Sequence, residues 1–377
     1  MTIKDVARRA GVSFQTVSLV LNHPEKVART TRETIEAAMR DLDFVPSLAA
    51  RSLRKKPSRS IACVFSVGAQ PYDDTSGLMQ ETHQGLVLQT FAAVTDQHGY
   101  TLTHRRWNSD DPDGLTRISS LVSEARVDGI VVFADRRNDP LIAMLQAKRF
   151  PFVVFGLDVP GTHFAVRAER DAVYEAVRYL AQTGSRAICF FKGERDGRRL
   201  RTVTERLRGY REALAEAGLP PCDDLVVPCD WNSESGYRVT LDLLDRSAKP
   251  DAIVSDAIVP DAIVAANDRV AFGVLKALHD RGVRVPDDIR VVGFDNFVQG
   301  AYTIPSLTSI EVPTLEMVRF AFATLVEVIE GARAPGDLAQ RLFSARLVIR
   351  DSTGQVRSDA VDRPSAGRIT ARRDGAS

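Results

Sequence analysis

Six His (23, 83, 98, 104, 163, 279) and four Cys (63, 189, 222, 229) are the residues of this chain best suited to metal or nucleophilic chemistry. Their spacing argues against both. The Cys residues are scattered without a CxxC pair and the His residues form no metal-ligand spacing, so neither a disulfide scaffold nor a zinc site is expected. No GxGxxG follows the first predicted strand, and no GxxxxGK[ST], GxSxG or HExxH occurs. Nucleotide, hydrolase and zinc-protease chemistry would lack their usual groups. The expectation is a protein that is not an enzyme and carries no cofactor or metal. What the sequence does concentrate is positive charge. Residues 1–60 hold twelve Lys/Arg against six Asp/Glu, a charge of +6, and the remainder is −5. The overall +1 averages a basic head with a mildly acidic body. A basic head can exchange counterions at phosphates, which points to nucleic acid.

Short helices would carry these cations. Thr2 and Asp5 have capping-box spacing, and Ile3, Val6, Ala7 and Ala10 fall on one helical face. Gly11 permits a tight turn. Ser13 caps a second helix, Phe14 to Leu21, with Val17, Val20 and Leu21 inward. Thr30 with Glu33 reads as another capping box, opening a third helix with Ile35, Ala38, Met39 and Leu42 inward. Two short helices around a Gly-containing turn make a helix-turn-helix candidate. Pro46 stops the third helix and is followed by SLAARSLR.

From residue 60 the pattern changes. SIACVFSV, DGIVVFA, FPFVVFGL, RAICFF, DAIVAA and DIRVVGF read as buried parallel strands. Helical stretches near 79–98, 112–126, 138–149, 169–184, 202–218, 233–246 and 268–282 alternate with them. Such alternation predicts doubly wound α/β sheets. The 377-residue length, 44% hydrophobic and 26% charged, suits two or three globular domains, the body forming two lobes. No apolar run reaches the roughly 18 residues of a membrane span, and MTIKDVARRAGVS has no apolar signal region. A cytoplasmic location is expected. DAIVS-DAIVP-DAIVA at 251–265 is an internal repeat. Pro260 disfavours a continuous strand through it, so 251–260 is predicted to be an irregular loop, with the copy at 261–265 as the strand. The alternative register puts the first copy there. Residues 355–377 lack apolar periodicity and read as a disordered tail.

The stretches TIKDVARRAGVSFQTVSLVLN and VARTTRETIEAAMRDLDFVPSLAARSLR resemble, in order and without gaps, the DNA-binding head of the lactose/purine repressor (LacI/GalR) family. VDGIVVF, RLRGYREALAEAGL, AANDRVAFGVLKAL, VPDDIRVVGFDNF and PSLTSIEVP resemble the periplasmic-binding-protein-like effector domain of the same family. The resemblance implies an N-terminal all-α helix-turn-helix head on an α/β periplasmic-binding-protein-like body of two doubly wound lobes. Its divisions would be a head at 1–46, a hinge helix and linker at 47–59, a two-lobed effector-binding and dimerisation domain at 60–354, and the tail at 355–377.

The roles implied by the resemblance are specific. The family's base-reading positions fall on Phe14, Gln15 and Leu19 of a recognition helix in the major groove. Gln15 can bond the N6/N7 edge of adenine, whereas Phe14 and Leu19 offer only apolar contact. Many members carry Arg where this chain has Leu19, so the operator cannot be copied from them. Ser13, Thr16 and Ser18 would contact phosphates. Leu53 would wedge into the minor groove, followed by Arg54 as a groove or phosphate contact. Asp74, Asp135, Asp158, Arg206, Trp231, Asn267 and Asp295 would contact an effector between the lobes. Asn267 and Asp295 have an alternative as helix caps, Arg206 as a surface ion pair, and Trp231 as core. The implied protein is a homodimeric transcriptional repressor that binds double-stranded operator DNA, with no membrane partner and with allosteric control by a sugar or sugar derivative. A purine or other non-sugar effector, or a corepressor, stays open, and a sugar-active enzyme is the distant alternative.

Overall fold

In a computed structural model of the chain, the residues described are 3–22, 26–42, 57–66, 83–108, 111, 113–134, 136–194, 200–247, 259–334 and 336–354. The first three elements are α1 (Ile3–Ala10), α2 (Phe14–Asn22) and α3 (Arg29–Asp41). Gly11 turns the chain between α1 and α2 at φ +65°, a conformation that costs glycine nothing. Val6, Ala7, Val17, Val20, Ile35 and Ala38 close a core, with Ile3, Ala10, Met39 and Leu42 against it. The 3.6-residue periodicity therefore identified the inward faces correctly, apart from Leu21, whose side chain lies outside the described residues.

The predicted capping box at Thr30 does not form. Helix α3 starts two residues earlier than that box implies, its N-cap is Ala28, and no side chain caps it. Glu33 pairs instead with Arg29 at 2.8 Å, an i,i+4 partner on its own helix. Thr2 lies outside the described residues, as do the short segment from Ser47 to Arg54 and the tail at 355–377.

The chain divides into two compact units, one holding residues 1–167, the head included, and 313–343, and the other 168–312 and 344–377. The first unit carries β1 (Ser60–Ser66), β2 (Thr101–Trp107), β3 (Gly129–Phe133), β4 (Phe152–Phe155), β5 (Phe164–Arg167) and β11 (Gln340–Phe343). Their order is β11-β5-β4-β3-β1-β2, parallel throughout. Helices α4 (His83–Gln97), α5 (Gly114–Ser123), α6 (Pro140–Ala147) and α11 (Thr314–Ile329) belong to this unit. Ile130, Val132, Val154 and Leu145 are among its enclosed core residues. The chain enters β1 under restraint. Asp128 accepts the Ser58 and Arg59 backbone N–H groups at 2.7 and 2.6 Å.

The second unit carries β6 (Ile188–Gly193), β7 (Val226–Cys229), β8 (Ala262–Val264), β9 (Arg290–Phe294), β10 (Thr308–Glu311) and β12 (Arg346–Val348), in the order β12-β10-β9-β8-β6-β7. Only the β10–β12 pair is antiparallel. Helices α7 (Glu169–Gln182), α8 (Arg201–Glu216), α9 (Ser233–Ser247) and α10 (Asp268–Asp280) pack on it. Both units are doubly wound: β1 has β2 on one side and β3 on the other, and β6 has β7 and β8. At such a reversal the loops leaving the carboxyl ends of neighbouring strands diverge and open a crevice.

The third copy of the repeat supplies β8. Ala262 pairs with Ile188 on one side and Arg290 on the other. Asp261 fixes this register by accepting the backbone N–H groups of Arg186 (2.6 Å) and Ala187 (3.2 Å). Only this copy is followed by Ala265 and Ala266, both buried, and then by Asn267. In the alternative register Ser255 and Asp256 would fill the alanine positions, and a carboxylate would be buried. The predicted loop at 251–260 lies outside the described residues except for 259 and 260.

Candidate DNA-reading face and effector site

Helix α2 divides into two faces. Val17 and Val20 are core, whereas Phe14 (46% exposed), Gln15 and Leu19 (38%) face outward. Phe14 does not pack into the three-helix core. Ser13 stands just before the helix, and its Oγ accepts the Thr16 backbone N–H at 3.1 Å. Its hydroxyl also lies 2.8 Å from Thr16 Oγ1. Capping and phosphate contact are compatible for these two exposed or half-exposed hydroxyls. Ser18 is set apart as buried, at 7% exposure, next to the core residue Val17. Leu53 and Arg54 lie outside the described residues.

In the second unit, Arg206 is buried on α8 and Glu169 opens α7. The helices meet closely because of Gly209, where a Cβ would come within 2.1 Å of the Arg170 carbonyl oxygen. That approach lets Arg206 Nε donate to Glu169 Oε2 at 2.6 Å. Arg206 NH1 donates to the Ala266 carbonyl, also at 2.6 Å. The guanidinium carbon lies 3.4 Å from the centroid of the Phe294 ring and 5.9 Å from that of Trp231. Arg206 is thus a buried, fully embedded cation rather than a surface ion pair.

Trp231 follows β7 and is half-buried. Its ring occupies the space where a Cβ on Gly193 would sit, with the nearest atom 2.4 Å away. The end of β6 therefore has to be glycine for this ring to take its place. Asn267 stands three residues past the end of β8 and caps α10, its Oδ1 accepting the Val270 N–H at 2.9 Å. Its Nδ2 points to the Trp231 carbonyl at 3.4 Å, so it is both cap and neighbour of the tryptophan. Asp295 follows β9 with φ +102° and is not the cap of an α-helix.

Asp268 beside it is fully buried. It accepts from Ser309 Oγ at 2.5 Å and the Phe297 N–H at 2.6 Å. Burial pushes its carboxyl up to about 7, helped by the negative charge of Asp295 and opposed by those hydrogen bonds and by Arg350.

The structure brings Arg206, Trp231 and Asn267 together and adds Glu169, Phe294 and Gly193, which sequence reasoning missed. Glu169 was discoverable as an acidic residue opening the helix after a strand, where the helix dipole favours it. Asp158 belongs to the first unit, where it pairs with Arg137. Asp74 and Asp135 lie outside the described residues. At the carboxyl ends of β3, β4 and β5, Phe133, Phe155 and Arg167 line a cavity of about 140 Å³ with His83 and Met317. No spacing in the sequence announces it, because its lining comes from five elements.

A three-helix head with an exposed reading face, together with two doubly wound units and a polar-aromatic cluster at strand ends, defines a DNA-binding regulator controlled by a small molecule. Residues 2–47 match the model for bacterial regulatory proteins of the lacI family, and residues 177–353 match that for a periplasmic binding protein-like domain. The chain is 32% identical to the transcriptional repressor PurR of Klebsiella pneumoniae (strain 342) over 337 residues, 88% of this chain and 91% of PurR. The lac repressor dimer bound to operator and the anti-inducer ONPF is similar at 25% identity and a TM-score of 0.76, covering 94% of this chain and 99% of that one. The transcriptional regulator CelR in complex with cellobiose is similar at 28% identity and a TM-score of 0.65, covering 93% and 99%. The chain belongs to the LacI family. It is a DNA-binding transcriptional regulator with an effector-binding domain, and not an enzyme. Among the described residues, no helix is long and apolar enough to cross a membrane.

Proposed function

We propose that this regulator is a cytoplasmic repressor whose effector is a sugar or sugar derivative, bound at the strand ends of the second unit. The observation that carries this reading is the Trp231 ring laid on Gly193 beside buried Arg206 and Asn267. A flat ring covers the C–H face of a sugar, and the polar groups bond its hydroxyls. Asp295 supplies a further acceptor. The similarity to CelR in complex with cellobiose supports a sugar, whereas that to PurR favours a purine as the second reading.

In the head, spanning 1–46, Gln15 reads adenine and Phe14 and Leu19 contact apolar base groups, with Ser13 and Thr16 on phosphates. Residues 47–59 form a hinge and linker in which Leu53 kinks the duplex and Arg54 follows it. Residues 60–354 bind effector and pair two chains, and 355–377 are a tail. Thermal-shift screening of the full chain against sugars, sugar phosphates and purines tests the effector, because a ligand that binds only the native state raises apparent stability. A shift with a sugar that is abolished by Trp231→Ala supports the reading. A shift with purines alone replaces it by the second reading. Footprinting the upstream DNA with Leu53→Ala tests the wedge: specific protection should weaken, and unchanged operator affinity would refute the assignment.

A further inference from the structure

One carboxylate holds the chain where it enters the first unit. Asp128, the residue before β3, accepts the Ser58 N–H at 2.7 Å, the Ser58 hydroxyl at 2.9 Å and the Arg59 N–H at 2.6 Å. Its own N–H donates to the Ser60 carbonyl at 2.7 Å, and the Thr101 N–H donates to the Arg59 carbonyl, also at 2.7 Å. Arg59, held between these bonds, has φ +49°. The left-handed region is costly for any residue with a Cβ and persists only where the surroundings impose it. The bonds to Asp128 and Thr101 impose it here.

Strand β1 does not need this clamp to find its place. Its pairing with β2 starts at Ser60 and its pairing with β3 at Ile61, so the bonds to Ser58 and Arg59 lie outside the ladder. What they fix is the direction of the chain that arrives from the head. Helix α11 backs both halves of the clamp. A Cβ on Gly129, the residue after Asp128, would meet Leu325 and Ile329 of α11 at 2.9 Å each. The Arg59 guanidinium carbon lies 5.6 Å from the centroid of the Tyr100 ring. That ring in turn meets Phe322 of α11 edge to face at 5.7 Å. The acceptor and the residue it holds thus rest on one rigid element.

We propose that Asp128 is a positioning residue for operator binding: its carboxylate holds Ser58 and Arg59 in one conformation and so sets the direction in which the linker leaves the body. The proposal rests on the reading of 47–59 as hinge and linker, and it adds the residue that fixes the body end of that linker. A specific site demands one placement of the head, and a linker already ordered at its root gives up less entropy on binding. Sequence-independent DNA makes no such demand, because phosphate contacts carry that binding. The clamp therefore acts on discrimination between the two.

The test measures the full chain by fluorescence anisotropy on two duplexes of equal length, one selected from a random pool by the wild-type chain and one of shuffled sequence. Asp128→Ala removes all three acceptor contacts. It should bind the shuffled duplex as the wild type does and the selected duplex at least about tenfold more weakly, the size of one charge-assisted hydrogen bond. A residue that only stabilised the fold would lower the active fraction and reduce both alike. Arg59→Pro breaks the other side of the clamp at an exposed residue: proline has no N–H for Asp128 and cannot adopt a positive φ. Its ratio of selected to shuffled affinity should fall by a similar factor. An unchanged ratio in either variant, with native circular dichroism, overturns the proposal; should Asp128→Ala not fold, Arg59→Pro decides alone. Leu53→Ala separates the two readings. Weaker binding of the selected duplex by Leu53→Ala, with neither clamp variant affected, leaves the linker reading standing without the clamp. Wild-type binding by all three overturns the linker reading and the proposal with it.

Discussion

Asp268 is enclosed on every side and still accepts two short hydrogen bonds. Burial and the neighbouring charge outweigh these bonds and push its carboxyl from 3.8 up to about 7. Between those values the folded chain holds a proton that the unfolded chain has released. The contribution of this group to stability is therefore fully present below its unfolded value and is lost as pH rises through about 7. Asp268→Asn should remove that slope. Urea unfolding of both proteins at pH 5 and pH 8 measures it, and a wild-type-minus-variant difference that is the same at both pH values would refute the assignment. Gly193 makes a simpler prediction. Alanine there places a Cβ 2.4 Å from the Trp231 ring, so the ring must move. Effector affinity should fall by about tenfold or more, as when one well-placed packing contact is lost, and the unfolding midpoint should change little. Retention of full affinity in Gly193→Ala would show that the ring position is not used.

At the level of helices and strands, α3 begins without a side-chain cap, at Ala28. Ser at that position supplies an acceptor for the free N–H groups of the first turn and should stabilise α3 by about 1 kcal/mol. Slower amide exchange in 29–41 of Ala28→Ser would confirm it; unchanged exchange would mean that water already satisfies those groups. The missed cap illustrates where sequence reading stops. Thr30 and Glu33 have the right spacing, but Arg29 competes for the carboxylate, and spacing carries no information about which partner wins. Buried strands such as β1 and β9 were legible because both faces are covered and the run is apolar apart from its end residues. Strand β2 was not, because it is a sheet edge carrying His104, Arg105 and Arg106. Strands β5, β7, β10, β11 and β12 are as short as β4 and β8 but, unlike them, are interrupted by polar, charged or proline residues, so no apolar run registers. The effector cluster was half legible. Arg206, Trp231 and Asn267 stand in recognisable stretches, but Glu169 lies 37 positions from Arg206 and is joined to it only by the packing of two helices.

On the scale of the assembled molecule, the chain joining β9 to β10 presents Val298 (69% exposed), Tyr302 (81%) and Ile304 (96%) in seven residues of sequence. Such a cluster is costly on a monomer and marks a surface meant to be covered. A second copy of the chain is the occupant that the family suggests, since the similar lac repressor is a dimer on its operator. A twofold dimer would present two heads to a pseudo-palindromic site, so each head gains from the local concentration of the other. Ile304→Asp together with Tyr302→Asp should therefore give a monomer by sedimentation at micromolar concentration. The same chain should lose operator affinity by more than about a hundredfold, at the low end of the avidity gain. Effector binding should survive, because Arg206, Trp231 and Asn267 lie within one unit of one chain. Reciprocal coupling adds a further check: whatever factor the effector imposes on operator affinity in the dimer, operator must impose on effector affinity. In the monomer, with one head bound weakly, that mutual effect should shrink. A double variant that still sediments as a dimer would move the dimer contact away from this segment.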